Sequence, residues 1–252
     1  MFASKYLIAA CSFFGFASAD LAIHVAERAV VGQTFLAGSD DPTQGSTPWA
    51  LTSHGIAEKL FTVQQNGEIV PQIAQGLEKV GDLAWDVWIR PDYKFSNGEQ
   101  VSPQHVADAL TELNAMNPSA QSSLGEMKVT LQGGLKVRIE SERPTHVMDA
   151  VLAEWVFVIF TKDEAGDFVY TGPYAIEHMA DDHIDLIPNR YYDQNVLQRP
   201  QITIQKFGDG HDLANGLRDG NIDIAFHLPI DTLSELRNVD EVYVKSFEGK
   251  YT

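Results

Sequence analysis

The chain has 252 residues, 44% apolar and 21% charged, enough to bury a core as one large domain or two small ones, which argues against general disorder. Asp and Glu number 35 against 18 Lys and Arg, a formal charge of -17, and no two basic residues are adjacent, so no patch is available to neutralise phosphates. Nucleic acid and anionic membranes are therefore poor partners.

Residues 1–19 differ in composition from everything that follows. Lys5 precedes the apolar run Tyr6 to Ala19, which ends in Ala17-Ser18-Ala19 before Asp20, the pattern that signal peptidase requires. We read it as a cleaved export signal, whose loss takes the formal charge from -17 to -18 as Lys5 leaves. Ile8-Ala9-Ala10-Cys11 also fits a lipidation box with Cys11 as the acylated residue. The apolar run continues past Cys11 to Ala19, however, where a lipoprotein turns polar, so the lipid anchor is the less favoured reading. Cys11 is the only cysteine, which leaves the mature chain without a disulfide, a thiol nucleophile or a cysteine metal ligand. At about fourteen residues the apolar run of the leader is shorter than the roughly 20 that a spanning helix needs, and the longest later run, Trp155 to Phe160, is shorter still.

After the leader, Leu21 to Val25 and Ala29 to Leu36 read as short strands, and Gly38 to Pro48 as a loop dense in turn-forming residues. The spacing of Leu51, Ile56, Leu60 and Phe61 predicts a helix over Ala50 to Phe61, with Ser53, His54 and Glu58 away from the apolar face. Asn66-Gly67 marks a two-residue hairpin turn. Leu83 to Arg90 alternates, with Leu83, Trp85, Val87 and Ile89 on the buried face of a strand. Ser102-Pro103 is a cap followed by proline at the first helical position, and Val106, Ala109, Leu110 and Leu113 carry that helix to about Met116. Met127 to Leu131 and Leu135 to Ile139 flank Gly133-Gly134 as a second hairpin. Beyond Pro144 the pattern is helix (His146 to Ala153), strand (Trp155 to Phe160), hairpin (Tyr174 to Ile187), strand (Ile202 to Phe207), helix (Asp212 to Arg218) and strand (Ile222 to Phe226). The last three form a strand-helix-strand unit that should place two parallel strands in one sheet. The fold class is mixed α/β with a hairpin-rich insert near residues 46–140.

No local catalytic signature, phosphate loop or calcium loop occurs. Ser53-His54 suggests a hydrolase, but adjacent helical residues point about 100° apart and cannot share a nucleophile-to-base bond, so a surface or cleft-edge pair is favoured. His178, Asp181, Asp182, His183 and Asp185 form the densest set of potential metal ligands, with an exposed hairpin as the simpler reading. Trp49, in the loop before the first helix, could face a ligand or cap the core. Phe226 and His227 lie at the end of the last parallel strand, where open α/β sheets bind ligands. A secreted hydrolase built on two dispersed carboxylates stays open as an alternative.

Taken in order, the motifs resemble the family 5 extracellular solute-binding proteins, the peptide, dipeptide and nickel receptors of ABC importers. The resemblance runs through Gly67-Glu-Ile-Val-Pro71-Gln-Ile-Ala74, Leu83-Ala-Trp-Asp-Val-Trp-Ile-Arg90, Tyr93-Lys-Phe95-Ser-Asn-Gly98 and Val101-Ser-Pro-Gln-His-Val106. It continues in Thr171-Gly172-Pro173-Tyr174, Ile187-Pro-Asn-Arg-Tyr191-Tyr192 and Leu217-Arg-Asp-Gly220-Asn-Ile-Asp223-Ile-Ala225.

The resemblance implies a periplasmic-binding-protein-like lobe with a mixed sheet and no catalysis or cofactor. Its ligand would be a small peptide or chelated metal such as nickel, its partner an ABC permease, and its location periplasmic or secreted. Family members are roughly twice as long, so the expected organisation is a signal at 1–19, a discontinuous first-lobe core at 20–45 and 141–247, the insert at 46–140, and a hinge stub at 248–252. The strand near Val242 to Phe247 marks the crossing toward a second lobe that is absent. Trp49, Ser53, His54, Phe226 and His227 are the residues expected to face ligand. An interaction module using the exposed half-cleft is a further alternative. One wall of a cleft should bind weakly, since two-lobed receptors gain contacts from both walls only on closure. Calorimetry with dipeptides or nickel chelates should give millimolar binding at best, and a submillimolar isotherm would overturn that expectation.

Overall fold

A computed structural model describes residues 28–193, 198–226, 228–239 and 242–244. The leader 1–19, the expected strand Leu21 to Val25 and the stub 248–252 lie outside these residues. In chain order the elements are β1 (Arg28–Gln33), α1 (Thr47–Ser53), β2 (Phe61–Val63), β3 (Ile69–Pro71), β4 (Ala74–Lys79), β5 (Ala84–Ile89), α2 (Pro103–Met116), α3 (Pro118–Leu124), β6 (Met127–Leu131) and β7 (Lys136–Ser141). They continue with α4 (Met148–Leu152), β8 (Phe160–Lys162), β9 (Phe168–Tyr170), β10 (Tyr174–Met179), β11 (His183–Pro188), β12 (Gln201–Lys206), α5 (Gly210–Arg218), β13 (Ile224–Ala225) and α6 (Ile230–Leu236). Two compact units result. One holds the described residues of Met1–Leu36, Ile176–Ile187 and Leu197–Thr252; the other holds Ala37–Ala175 and the described part of Pro188–Val196, a larger span than the expected insert at 46–140.

The first unit is built on a mixed sheet in the order β10-β11-β12-β1-β13, with β1 parallel to β12 and β13, and β11 antiparallel to β12. The expected strand-helix-strand unit is β12, α5 and β13, and β1 lies between its two strands. Helix α5 begins where Asp209 accepts hydrogen bonds from the N–H groups of His211 and Asp212 at 2.8 and 2.9 Å. Its buried Leu213 seats over β1 at Gly32, where a Cβ would lie 2.4 Å from Leu213 Cδ1 and 2.6 Å from Ile222 Cδ1. Ile184, Leu186, Ile202 and Ile204 alternate into the core.

The second unit contains a four-stranded antiparallel sheet in the order β4-β5-β7-β6, the hairpins β2-β3 and β8-β9, and helices α1 to α4. Helix α2 spans the expected residues. Ser102 Oγ accepts from the His105 N–H, the His105 ring meets the Ser102 N–H in return, and Val106, Ala109, Leu110 and Leu113 are buried. Trp85, Val87 and Ile89 are buried on β5 as the alternation predicts, whereas Leu83 precedes the strand and is exposed.

Several expectations change. The helix predicted over Ala50 to Phe61 is only α1, because Gly55 takes a left-handed conformation (φ 72°) that ends it; Ile56 and Leu60 are buried in irregular chain and Phe61 starts β2. Asn66-Gly67 is not a two-residue turn. Gly67 N–H donates to Gln64 O at 2.9 Å and Gln64 N–H to Glu68 O at 2.8 Å, a longer loop with Gly67 at φ 84°. Trp155 to Phe160 is a strand only at Phe160; Val156 to Ile159 is buried irregular chain, tied by Ile159 N–H to Glu58 O at 2.9 Å. An all-apolar run marks burial without specifying the backbone. The elements β4, α3, β9 and α6 were not predicted, and Val242 to Val244 are irregular, the rest of that expected strand lying outside the described residues.

The Thr171-Gly172-Pro173-Tyr174 stretch packs directly on the end of α1. Gly172 N–H donates to Ile56 O at 2.8 Å and Tyr174 N–H to Gly55 O at 3.1 Å. A Cβ on Gly172 would lie 2.4 Å from Gly55 O and 2.5 Å from the Ile56 carbonyl carbon, and backbone cannot swing aside as a side chain could. Gly172→Ala should therefore cost about 2–3 kcal/mol in urea unfolding. A loss under about 0.5 kcal/mol would show that the two segments separate freely.

Candidate functional site

The residues expected to face ligand do not behave alike. On α1, Trp49 and Ser53 are one turn apart and both exposed, Trp49 at 40%. Ser53 Oγ donates to the Trp49 carbonyl at 2.8 Å, so its proton is committed to the helix backbone and it is no activated nucleophile. His54 points inward at 6% exposure, and burial lowers its pKa to about 4, so the ring is neutral at physiological pH. The expectation of a Ser53-His54 pair at the surface is corrected: Ser53 is outside and His54 inside. In the first unit, Phe226 follows β13, is half-buried, and donates its N–H to Gly32 O at 3.2 Å. His227 lies outside the described residues.

The histidine-rich hairpin of β10 and β11 forms charge pairs. His178 and His183 have ring centroids 5.5 Å apart, and His183 Nδ1 lies 2.8 Å from Asp182 Oδ1. Asp185 Oδ1 already accepts from Thr203 Oγ1 at 2.6 Å and Arg28 at 2.8 Å, contacts that hold its pKa below the usual carboxylate range. Among the described residues, no group of three or more His, Cys, Asp or Glu side chains is arranged to hold a metal ion.

Glu58 is a second titratable group, after His54, whose position differs from the sequence expectation. It is buried in the second unit, beyond α1 rather than on its polar face. Tyr192 donates its hydroxyl to Oε1 at 2.6 Å, Tyr93 donates to Oε2, and Gln72 adds a third donor. Loss of water raises the Glu58 pKa to about 7 despite these donors and the neighbouring Lys59, whose own pKa is lowered by burial. Burial pushes the Tyr93 phenol upward, keeping it a donor.

A pKa near neutrality suits a general acid or base, but the surroundings do not. The adjoining cavity, lined by Arg90, Asp92, Tyr93, Lys94, Tyr191 and Tyr192, has a volume of about 60 Å³, room for about two waters and too small for a solute. Glu58 itself is surrounded by phenols, an amide and an ammonium, and the carboxylate on the cavity wall, Asp92, is held by Arg90 at 3.0 Å. Tyr191 and Tyr192 are set by Asn189, which donates to Gly172 O at 2.8 Å and accepts from Tyr191 N–H at 3.0 Å. The Tyr191 ring covers Gly98, where a Cβ would lie 2.7 Å away.

The family model described as bacterial extracellular solute-binding proteins, family 5 Middle, matches residues 68–252. The nickel-binding protein NikA of Staphylococcus aureus is 24% identical over 201 residues, which cover 77% of this chain and 40% of that protein. Its solved structure in complex with Ni(L-His)2 superposes with a TM-score of 0.75 at 21% identity, over 85% of this chain and 46% of that one. OppA of Haemophilus influenzae, solved with the peptide RPPGFSPFR, gives 0.69 at 18% identity, over 84% and 48%. The chain thus spans less than half the length of the proteins it matches.

The raised pKa of Glu58 makes stability depend on pH. Folded Glu58 keeps its proton up to about pH 7, whereas in the unfolded chain it loses it near the ordinary 4.5. The contribution is therefore complete below 4.5 and is lost as pH rises to 7, a change on the order of 3 kcal/mol. Urea unfolding of wild type and Glu58→Gln at pH 4.5 and 7.5 isolates it. Wild-type stability relative to the variant should fall across that interval, and a flat difference would exclude the shift.

Proposed function

The chain belongs to the family 5 bacterial extracellular solute-binding proteins, and on that premise we propose that it captures a small solute outside the cytoplasm for an ABC permease. The match to the family model over residues 68–252 carries this reading. The solute class we propose is a short peptide or a chelated nickel ion, the two kinds of ligand named for NikA and OppA. A receptor needs no nucleophile or acid-base pair, and the commitments of Ser53 and Glu58 agree with binding without catalysis. Export through the leader at 1–19 to the periplasm or the medium is part of the same proposal.

Trp49 and Ser53 are the proposed solute contacts of the second unit, with an exposed indole face for an apolar or imidazole group. His54 would support them from within as a neutral ring, and Phe226 and His227 are the proposed contacts of the first unit. Titration of Ni(L-His)2 and of a nonapeptide, followed by NMR of the indole N–H signals, tests the proposal at weak affinity. One of the two should move or broaden the Trp49 signal saturably, with Trp49→Phe identifying the peak. Absence of any effect from either at about 5 mM would overturn the reading.

A further inference from the structure

Strand β6 is an outer strand of the four-stranded sheet, and it borders a groove of about 600 Å³ whose other wall is α2. The register decides which backbone groups reach that groove. Glu142 N–H donates to Glu126 O at 2.9 Å and Gln132 N–H to Lys136 O at 3.0 Å, so the even-numbered residues of β6 direct their backbone groups to β7. Met127, Val129 and Leu131 therefore turn theirs outward. Asn114 of α2 meets the Met127 N–H at 2.9 Å, whereas the N–H groups of Val129 and Leu131 have no partner among the described residues.

Exposed edges are ordinarily blunted by a lysine, a proline or a bulge. The β6-β7 register runs without a shift, β6 has no proline, and Lys128 alternates to the other face, where it pairs with Glu140 at 3.8 Å. What borders the edge is apolar, acidic or neutral polar, with no basic side chain among the residues that line the groove. Leu131 is 50% exposed and Met116 63%, and Asp108 and Glu112 stand on the α2 rim. Glu112 pairs with Lys162 at 2.9 Å; Asp108 accepts from Gln104 Nε2 at 2.7 Å and has no cationic partner among the described residues.

We propose that this groove docks an extended basic segment of another protein, which adds as a fifth strand along β6 and sets a Lys or Arg side chain against Asp108. The outward groups of Val129 and Leu131 supply main-chain hydrogen bonds, and the apolar groove receives alternate side chains. A second copy of this chain is the poorer occupant. Edge-to-edge pairing would oppose two acidic rims on chains of formal charge -17.

Fluorescence anisotropy of a labelled Val-Lys-Val-Arg-Val peptide with the full chain tests the proposal. Saturable binding is expected, weakened by about tenfold or more in Val129→Pro, which removes an outward N–H and leaves the β6-β7 bonds intact. Asp108→Lys should weaken this probe to a similar degree and strengthen binding of Val-Glu-Val-Glu-Val. If Val129→Pro lowers the melting temperature, N-methylation of the probe on its protein-facing amides replaces it and should cause the same loss. Equal affinity for wild type and Val129→Pro at equal melting temperature, equal affinity of methylated and plain probes, or no binding below about 1 mM would overturn the proposal. A sedimenting dimer dissolved by Val129→Pro would assign the edge to a second copy and overturn it equally.

Discussion

Burying one carboxyl group constrains much of the second unit. Glu58 lies in irregular chain between α1 and β2, and removing it from water is unfavourable unless donors replace the lost hydration. The donors come from Gln72, between β3 and β4, from Tyr93, after β5, and from Tyr192, after β11. Each is far from Glu58 in sequence, so satisfying a single side chain brings three distant loops to one point. An apolar residue of similar volume could fill such a space without the desolvation cost. The carboxyl group adds direction: it accepts only when the two phenols arrive at the right distance and angle.

Close packing around glycine reinforces that arrangement. Gly98 lies under the Tyr191 ring and Gly172 lies against the Gly55-Ile56 backbone, and Asn189 joins the two contacts by bonding both Gly172 and Tyr191. Three of the stretches behind the family resemblance, Tyr93 to Gly98, Thr171 to Tyr174 and Asn189 to Tyr192, are therefore largely engaged with one another. This explains why the resemblance specifies a scaffold more sharply than a solute. Side chains used to hold loops together are not available to discriminate a peptide from a metal chelate, and relatives with ligands of both kinds share the fold.

The same distinction between local and distant interactions separates what could be read in the sequence from what could not. Helix α2 was readable because Ser102, Pro103 and His105 set its start within four residues and the apolar spacing set its buried face. The β6-β7 hairpin and the strand-helix-strand order of β12, α5 and β13 were readable for similar reasons of turn chemistry and period. Helix α1 was overextended because Leu51, Ile56 and Leu60 keep a helical period although Gly55 ends the helix; all three are buried, but by tertiary packing. Strand β4 was missed because Gly76 and a register shift between Ala74 and Gly76 break its alternation. At the candidate site, Trp49 and Ser53 were found on an exposed face, while the inward turn of His54 and the burial of Glu58 depend on neighbours from elsewhere in the chain.

Helix α2 also shows how one element can serve two surfaces. Its inner face, with Val106, Leu110 and Leu113, belongs to the core, and Asn114 uses both ends of its amide to fix the start of β6, donating to Gly125 O and accepting from Met127 N–H at 2.9 Å each. That bond satisfies the outward N–H of Met127 and stops there. Two and four residues further on, no side chain of α2 hydrogen-bonds the strand among the described residues: that wall is lined by Ala107 and Ala115, by Gln104, Thr111 and Met116, and by the acidic Asp108 and Glu112. A helix that merely sealed the edge would be expected to continue what Asn114 begins. The spacing between α2 and the free half of β6 instead leaves a lane bordered by hydrogen-bonding backbone on one side and negative charge on the other. Its chemistry is distinct from the exposed indole at Trp49, so the docking proposed along β6 and the solute capture proposed at Trp49 rest on different residues and are separable by mutation.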